Sequence, residues 1–238
     1  MTTTLEQTVG EIAAQSADAV RVFEKMGIDY CCGGKRTLGE VCATKGLETQ
    51  QVLAAIEQAG AKPVDQDWRK AALRDLTAHI VAKHHEFLRS EMPLLSARLS
   101  KVVQVHGSKD SRLQELATVF EHLRDELDMH LHKEEMILFP YIEQLEDIAQ
   151  SGQPLGYPPF GSVENPIRMM EHEHDSAGRA LEQIRRLTGD FALPEFACAT
   201  VRALWQGLEN FEKDLHQHIH LENNILHLRA IDLESRLS

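Results

Sequence analysis

The sequence predicts an all-α protein, an antiparallel four-helix bundle preceded by a small helical domain. Three observations lead there. From Trp68 onward, apolar residues recur at three- and four-residue spacing through four long stretches. Aromatic residues make up only 5% of the chain and β-branched runs are few, which argues against a sheet-rich fold. Mostly short connections separate the stretches, as in helices that return antiparallel. With 238 residues, 42% of them hydrophobic, the chain can bury a large core and a small one.

Residues 1–62 read as the small domain. Leu5, Val9, Ile12, Ala13, Val20 and Phe23 indicate two short helices. The glycines of Gly27-Ile-Asp-Tyr-Cys-Cys-Gly-Gly34 interrupt the helical pattern. Thr37 followed by Glu40 has the form of a capping box, opening a third helix, and a fourth is expected over residues 50–58. A unit this short buries little surface and is marginal alone. Gly60 to Asp67 reads as the linker.

Residues 63–238 read as the bundle. The first helix is expected over about 68–105 and the second over about 111–146. A Gly- and Pro-rich loop, 151–162, follows. Asn165-Pro166 has the form of an N-cap with Pro at the first helical position, so the third helix runs from there to about Thr188. The fourth extends from about Pro194 to Arg229.

Each helix carries one core stripe. The first reads Thr77, Val81, His85, Leu88, Met92, Leu95, Leu99; the second reads Leu116, Phe120, Leu123, Leu127, His130, Glu134, Leu138, Tyr141. The third reads Ile167, Met170, His174, Ala177, Leu181, Ile184; the fourth reads Val201, Leu204, Leu208, Phe211, Leu215, His218, Glu222, Ile225. The stripes are apolar except at one level, where each has a His and two add a Glu at i+4. That spacing stacks imidazole and carboxylate on one helix face. In the first helix His84 continues the alternative stripe Leu73, Leu76, Ile80, so periodicity leaves His84 and His85 both open. His132 and His220 repeat with the motif, but their i+2 position points them away from the core. His79, His106, His122, His172, His216 and His227 lie off the stripes and read as solvated.

Burying these groups without partners costs several kcal/mol per ion. Two cations in the layer remove that penalty. Four imidazoles and two bridging carboxylates give roughly eight donor atoms, against about twelve for two six-coordinate ions, which leaves room for an oxo or hydroxo bridge and open positions. Mixed imidazole and carboxylate ligation suits iron or manganese.

The net charge of −12 disfavours nucleic acid as a partner. The amino terminus lacks the basic and apolar regions of a signal peptide, and no apolar run reaches membrane-span length, so a cytoplasmic location with no membrane partner is expected. Adjacent Cys31 and Cys32 cannot form an ordinary low-strain disulfide. The pair therefore suits redox cycling or soft-metal binding, and these are the two residues expected to act catalytically. Cys42 and Cys198 fall in helical patterns and are expected to be buried and inert.

The segments His130-x-x-Lys-Glu134-Glu-x-x-Leu-Phe-Pro140, His218-x-x-Leu-Glu222-Asn-Asn-x-Leu and Glu171-x-Glu-His174-Asp175 resemble the helix motifs of hemerythrin-like di-iron proteins. Asp29-Tyr-Cys-Cys-Gly-Gly34-Lys-x-Thr-Leu38 closely resembles the amino-terminal signature of the iron–sulfur cluster repair di-iron family. The resemblance covers nearly the whole chain. It implies two non-haem iron ions, oxo- or hydroxo-bridged, held by His85, His130, Glu134, His174, His218 and Glu222, with the two glutamates bridging. Its register favours His85 over His84. It implies repair of iron–sulfur clusters damaged by nitric oxide or oxidants, through iron donation or nitric oxide chemistry, including nitric oxide reductase-type turnover. Damaged iron–sulfur proteins and nitric oxide are the expected partners, with a homodimer open to the chain. One departure is Leu226-His227-Leu228, where the first repeat has Leu138-Phe139-Pro140; it bears on local packing at the end of the fourth helix. Competing readings are a module that buffers or senses nitric oxide or dioxygen without turnover, and an interaction protein with structural metals.

Overall fold

The computed structural model describes residues 3–59 and 66–237. Among them the regular structure is helical, apart from a single antiparallel bridge between Thr8 and Thr37. The expected linker and the expected domain boundary fall largely on residues 60–65, outside the described residues. Packing divides the chain into two compact units. One takes in the described residues up to Ala78 with Tyr141–Asn165 and those from His216 onward; the other is His79–Pro140 with Pro166–Leu215.

The first unit opens with α1 (Val9–Gln15), α2 (Ala17–Met26), α3 (Leu38–Lys45) and α4 (Thr49–Ala59). Thr37 and Glu40 form the expected capping box, with Glu40 N donating to Thr37 Oγ1 at 3.2 Å and Thr37 N to Glu40 Oε2 at 2.9 Å. Thr8 and Glu11 form a second box that opens α1. Gly27 ends α2 at φ 63°, a left-handed conformation that glycine adopts without strain. Val9, Ile12, Phe23, Ile28, Tyr30, Leu38, Val41 and Val52 close a core of their own. Leu5 lies outside it, 43% exposed.

Four long rods follow. The first is α5 (Leu73–Ile80), a π-turn (Val81–His85) and α6 (Glu86–His106). It starts later than Trp68 because its amino end is capped from afar: Leu73 N and Arg74 N donate to the Glu146 carboxylate at 2.8 and 3.2 Å. Arg229 holds the Trp68 and Ala71 carbonyls in the turn before it, at 2.7 and 2.6 Å. The second rod is α7 (Arg112–Lys133), a π-turn (Glu134–Leu138) and α8 (Phe139–Ser151). The third is α9 (Glu164–Thr188), and the fourth is α10 (Ala199–Leu221), a π-turn (Glu222–Leu226) and α11 (His227–Leu237).

Asn165 is not the N-cap of the third rod. Its Nδ2 donates to the Phe160 carbonyl at 2.8 Å, while the buried Glu234 carboxylate takes the Val163 amide at 3.0 Å and the Ser162 hydroxyl at 2.7 Å. The helix is thereby anchored ahead of Asn165. The fourth rod begins at Ala199, after a turn in which Ala197 N donates to the Pro194 carbonyl.

Within His79–Pro140 and Pro166–Leu215, side chains fix which rods are neighbours. Arg124 reaches Ser96 at 3.2 Å, Gln183 reaches Glu115 at 2.9 Å, and Arg185 pairs with Glu212 at 3.0 Å. Gly207 lies so close to the first rod that a Cβ there would stand 2.7 Å from Leu95. Within this unit the segments of the four rods therefore form a closed square, with Phe120 and Phe211 in edge contact across it at 5.6 Å. Every stripe residue is buried except Val81. Val81 opens a π-turn, where the core repeat stretches from four residues to five.

Candidate metal centre

All three π-turns among the described residues carry stripe ligands. His85 closes the first, and Glu134 and Glu222 open the other two. Their i+5 hydrogen bonds, from the amides of Glu86, Phe139 and His227 to the carbonyls of Val81, Glu134 and Glu222, widen the helix locally. Such turns are rare and concentrate at functional sites. In the first rod the wide turn buries both His84 and His85. The two rings then take different partners. His84 Nδ1 meets Asp214 Oδ1 at 3.0 Å, while His85 Nε2 faces Glu134 Oε2 at 3.5 Å.

Glu134 addresses two imidazoles with its two oxygens, since Oε1 stands 3.2 Å from His130 Nε2. His174 Nε2 lies 3.0 Å from His130 Nε2, and His218 Nε2 lies 3.0 Å from Glu222 Oε1. The six residues are 0–2% exposed. Their donor atoms form two groups, each within 4.8 Å: His85, Glu134, His218 and Glu222, and His130, Glu134, His174 and Glu222. Both glutamates belong to both groups.

This donor set fits a pair of cations. Two imidazole nitrogens about 2.1 Å from one ion and at right angles are about 3.0 Å apart, the spacing of His130 and His174. A direct hydrogen bond between them would use one lone pair and one proton; an ion satisfies both lone pairs. The outer nitrogens are arranged to match. His130 Nδ1 contacts Glu173 Oε2 at 2.8 Å and His85 Nδ1 contacts Glu135 Oε1 at 2.6 Å. A proton held on Nδ1 by a carboxylate leaves the Nε2 lone pair for a metal. Lys133 pairs with Glu173, and Arg89 with Glu135 at 2.8 Å. The hydrogen bond from His130, aided by Lys133 and opposed by burial, pulls Glu173 down to about 2. Burial pushes Glu135 upward, but its bonds to His85 and Arg89 outweigh this and lower it. Sequence reasoning missed both carboxylates. The available signal was a Glu next in sequence to a ligand, Glu135 after Glu134 and Glu173 before His174.

His220 departs from its sequence reading. It is 5% exposed, whereas its counterpart His132 is exposed. The difference is what packs on it: the Tyr30 ring stands edge-on at 5.5 Å, and Asn224 Nδ2 lies 3.1 Å from His220 Nδ1. Burial pulls His220 down to about 4, so its neutral Nδ1 accepts from Asn224. Asn224 Nδ2 also donates to the Tyr30 and Cys31 carbonyls at 3.1 and 3.3 Å. Asn224 belongs to the same π-turn as Glu222, so one turn carries a stripe ligand and a seat for the Cys-Cys-Gly-Gly loop. His227, expected to be solvated, is fully buried, because the stretched repeat of this turn rotates it inward.

The loop explains its own residues. Asp29 accepts from the amides of Cys31 and Cys32 at 3.0 Å each and of Gly33 at 2.8 Å. A Cβ on Gly33 would stand 2.9 Å from that carboxylate, and one on Gly34 would stand 2.3 Å from Asn224 Oδ1. Cys31 Sγ lies 3.8 Å from Cys32 Sγ, and the two are not disulfide-bonded. The contact with Cys32, with burial and the nearby Asp29 charge, pushes the Cys31 thiol well above its ordinary value. Cys42 is buried as expected. Cys198 is not: it is exposed at the start of α10. The Val201 amide, the His106 ring at 3.8 Å and the Thr200 amide lower its thiol to about 7.

Residues 76–230 match the family model described as "Hemerythrin HHE cation binding domain", and residues 5–60 match a "Domain of Unknown function (DUF542)". The rods and their buried ligand layer are thus those of a hemerythrin-type cation-binding bundle. Proteins named "Iron-sulfur cluster repair protein YtfE" align over nearly the full length. That of Pectobacterium atrosepticum is 40% identical over 227 residues, 95% of this chain and 97% of its own. Those of Citrobacter koseri and Escherichia coli are 38% and 37% identical over 226 residues, with the same coverage. The chain belongs to this family of iron–sulfur cluster repair proteins. Among the described residues, no helix is long and apolar enough to cross a membrane.

Proposed function

We propose that the chain holds two non-haem iron ions and uses them in the repair of iron–sulfur clusters damaged by nitrosative or oxidative stress. The observation that carries this is the pair of buried ligand groups sharing Glu134 and Glu222. His85 and His218 would complete one iron site, His130 and His174 the other, with both carboxylates bridging. The bound pair supplies affinity for nitric oxide, electron-transfer capacity and iron that can be given up. Glu135 and Glu173 hold the protons on the outer nitrogens of His85 and His130, which orients both rings. The apolar levels above and below the layer restrict water. Cys31 and Cys32, in the 1–62 segment, act with the iron pair as thiols without building it. The names of the relatives support the repair role, and a cytoplasmic location, where thiols are kept reduced, suits the adjacent cysteines.

The test combines metal analysis and Mössbauer spectroscopy on anaerobically purified protein with recovery of a nitric oxide-damaged iron–sulfur protein. Two irons per chain and iron-dependent cluster recovery are expected. Glu134→Ala and Glu222→Ala should each lose most of both. Retention of two irons in both variants would overturn the ligand assignment. Tight nitric oxide binding with no cluster recovery would leave a gas-buffering protein instead.

A further inference from the structure

The Asp29–Gly34 loop contains none of the six bundle ligands, yet three of its side-chain donors converge. An Asp29 carboxylate oxygen, Cys31 Sγ and Cys32 Sγ all lie within 4.8 Å of one another. The sulfurs are 3.8 Å apart, and Cys31 Sγ is 3.3 Å from Asp29 Oδ1. A disulfide requires about 2.05 Å between sulfurs. Two thiolates about 2.3 Å from one tetrahedral ion stand about 3.8 Å apart, and a carboxylate oxygen at about 2.1 Å stands about 3.6 Å from each sulfur. The sulfur pair already has the bite of a chelate, and the Asp29 oxygen is within a few tenths of an ångström of its place relative to Cys31 Sγ.

The loop is built to this shape from both sides. Three backbone amides fix the Asp29 carboxylate, and Gly33 admits it. Asn224 engages the Tyr30 and Cys31 carbonyls, and Gly34 admits Asn224. The groups differ in access: Cys31 is buried, Cys32 half-buried and Asp29 exposed. Three protein ligands with one open side describe a site that loads and unloads, where a closed structural site takes four.

We propose that Asp29, Cys31 and Cys32 form a third cation site, which takes one borderline-to-soft divalent ion such as ferrous iron and leaves a position for solvent or an acceptor's ligand. Binding converts two thiols to thiolates and releases two protons, with no change of oxidation state. Softness selects against magnesium and calcium. The role of the site as a transit point for iron rests on the repair function proposed above; the site itself does not.

Cobalt(II) is the probe, titrated anaerobically into the full chain with its bundle iron in place and its thiols reduced. One equivalent should bind with a sulfur-to-cobalt charge-transfer absorption. Cys31→Ser/Cys32→Ser should abolish the band, and Cys32→Ser alone should remove its two-thiolate intensity. Asp29→Asn, which still accepts from the Cys31 and Cys32 amides, should weaken binding at least about tenfold. Cys198→Ser should change nothing. Helicity and bundle iron are measured in every variant to confirm an intact fold. No charge-transfer band in the reduced wild-type chain overturns the site, as does a band lost only in Cys198→Ser. Unchanged affinity in Asp29→Asn also overturns it, in the form proposed. Cobalt binding as expected with unimpaired cluster repair in Asp29→Asn keeps the site and overturns its transit role.

Discussion

Glu173 contributes no atom to either ligand group, yet it sets the proton on His130 and is itself set by Lys133. Glu173→Gln keeps the shape and removes the charge. It should lower iron affinity about 10–100-fold, as loss of an outer carboxylate does in other metal sites, measured by competition with a chelator. The two buried histidines of the first rod should separate in the same assay. His85→Ala should lose iron, because its Nε2 faces Glu134. His84→Ala should keep it, because its Nδ1 faces Asp214 and neither ligand group includes it. Loss of iron in His84→Ala alone would reverse the assignment. Cys198 makes a pH prediction. Its thiol lies lowered, to about 7, so the thiolate is present above that pH and is lost as pH falls through it. Alkylation of Cys198 should follow a titration centred near pH 7, and His106→Ala should move the midpoint upward.

The three π-turns are where helix geometry and site geometry meet. An ordinary α-helix places one core position every three or four residues. The wider turn admits one more, which lets Ile80 be followed by both His84 and His85 inside the core. The turn Glu222–Leu226 has a second task, since Asn224 seats the cysteine loop. Gly34→Ala tests that contact. Its Cβ would lie 2.3 Å from Asn224 Oδ1 and 2.8 Å from the Tyr30 carbonyl, both of which are held in place. Overpacking of this kind costs about 1–3 kcal/mol. The loop should lift, with Cys31 alkylated roughly tenfold faster by the population shift a cost of about 1.4 kcal/mol gives. Bundle iron should be unchanged. An unchanged alkylation rate would show that Asn224 does not hold the loop.

Two carboxylates at 0% exposure make the chain's stability depend on what neutralises them. Iron bound at a hundred times its dissociation constant stabilises the folded chain by about 2.7 kcal/mol. For a chain of this size that corresponds to a Tm shift of roughly 5–10 °C. Removing iron with a chelator should lower Tm by that amount while far-ultraviolet dichroism at low temperature stays largely helical, because the apolar levels of the rods do not involve the metal. Equal Tm with and without iron would mean that the layer is neutralised by protons within the protein.

The stripes were readable in the sequence because a helix repeats locally. Spacing alone placed His130 with Glu134 and His218 with Glu222, and the buried levels from Leu116 to Leu127 and from Val201 to Leu215 follow from it. The capping box of Thr37 and Glu40 is equally local, four residues long. What spacing could not supply was decided between segments far apart in the chain. Glu146 and Arg229 chose where the first rod begins, and Glu234 chose the start of the third. Packing of Tyr30 and Asn224 buried His220 while its repeat His132 stayed in solvent. Glu173 reaches His130 only because the second and third rods are neighbours. A sequence determines the face that each helix presents, since one turn fixes it. Which carboxylate, carbonyl or ring meets that face depends on burial against a partner, and only the assembled tertiary structure chooses the partner.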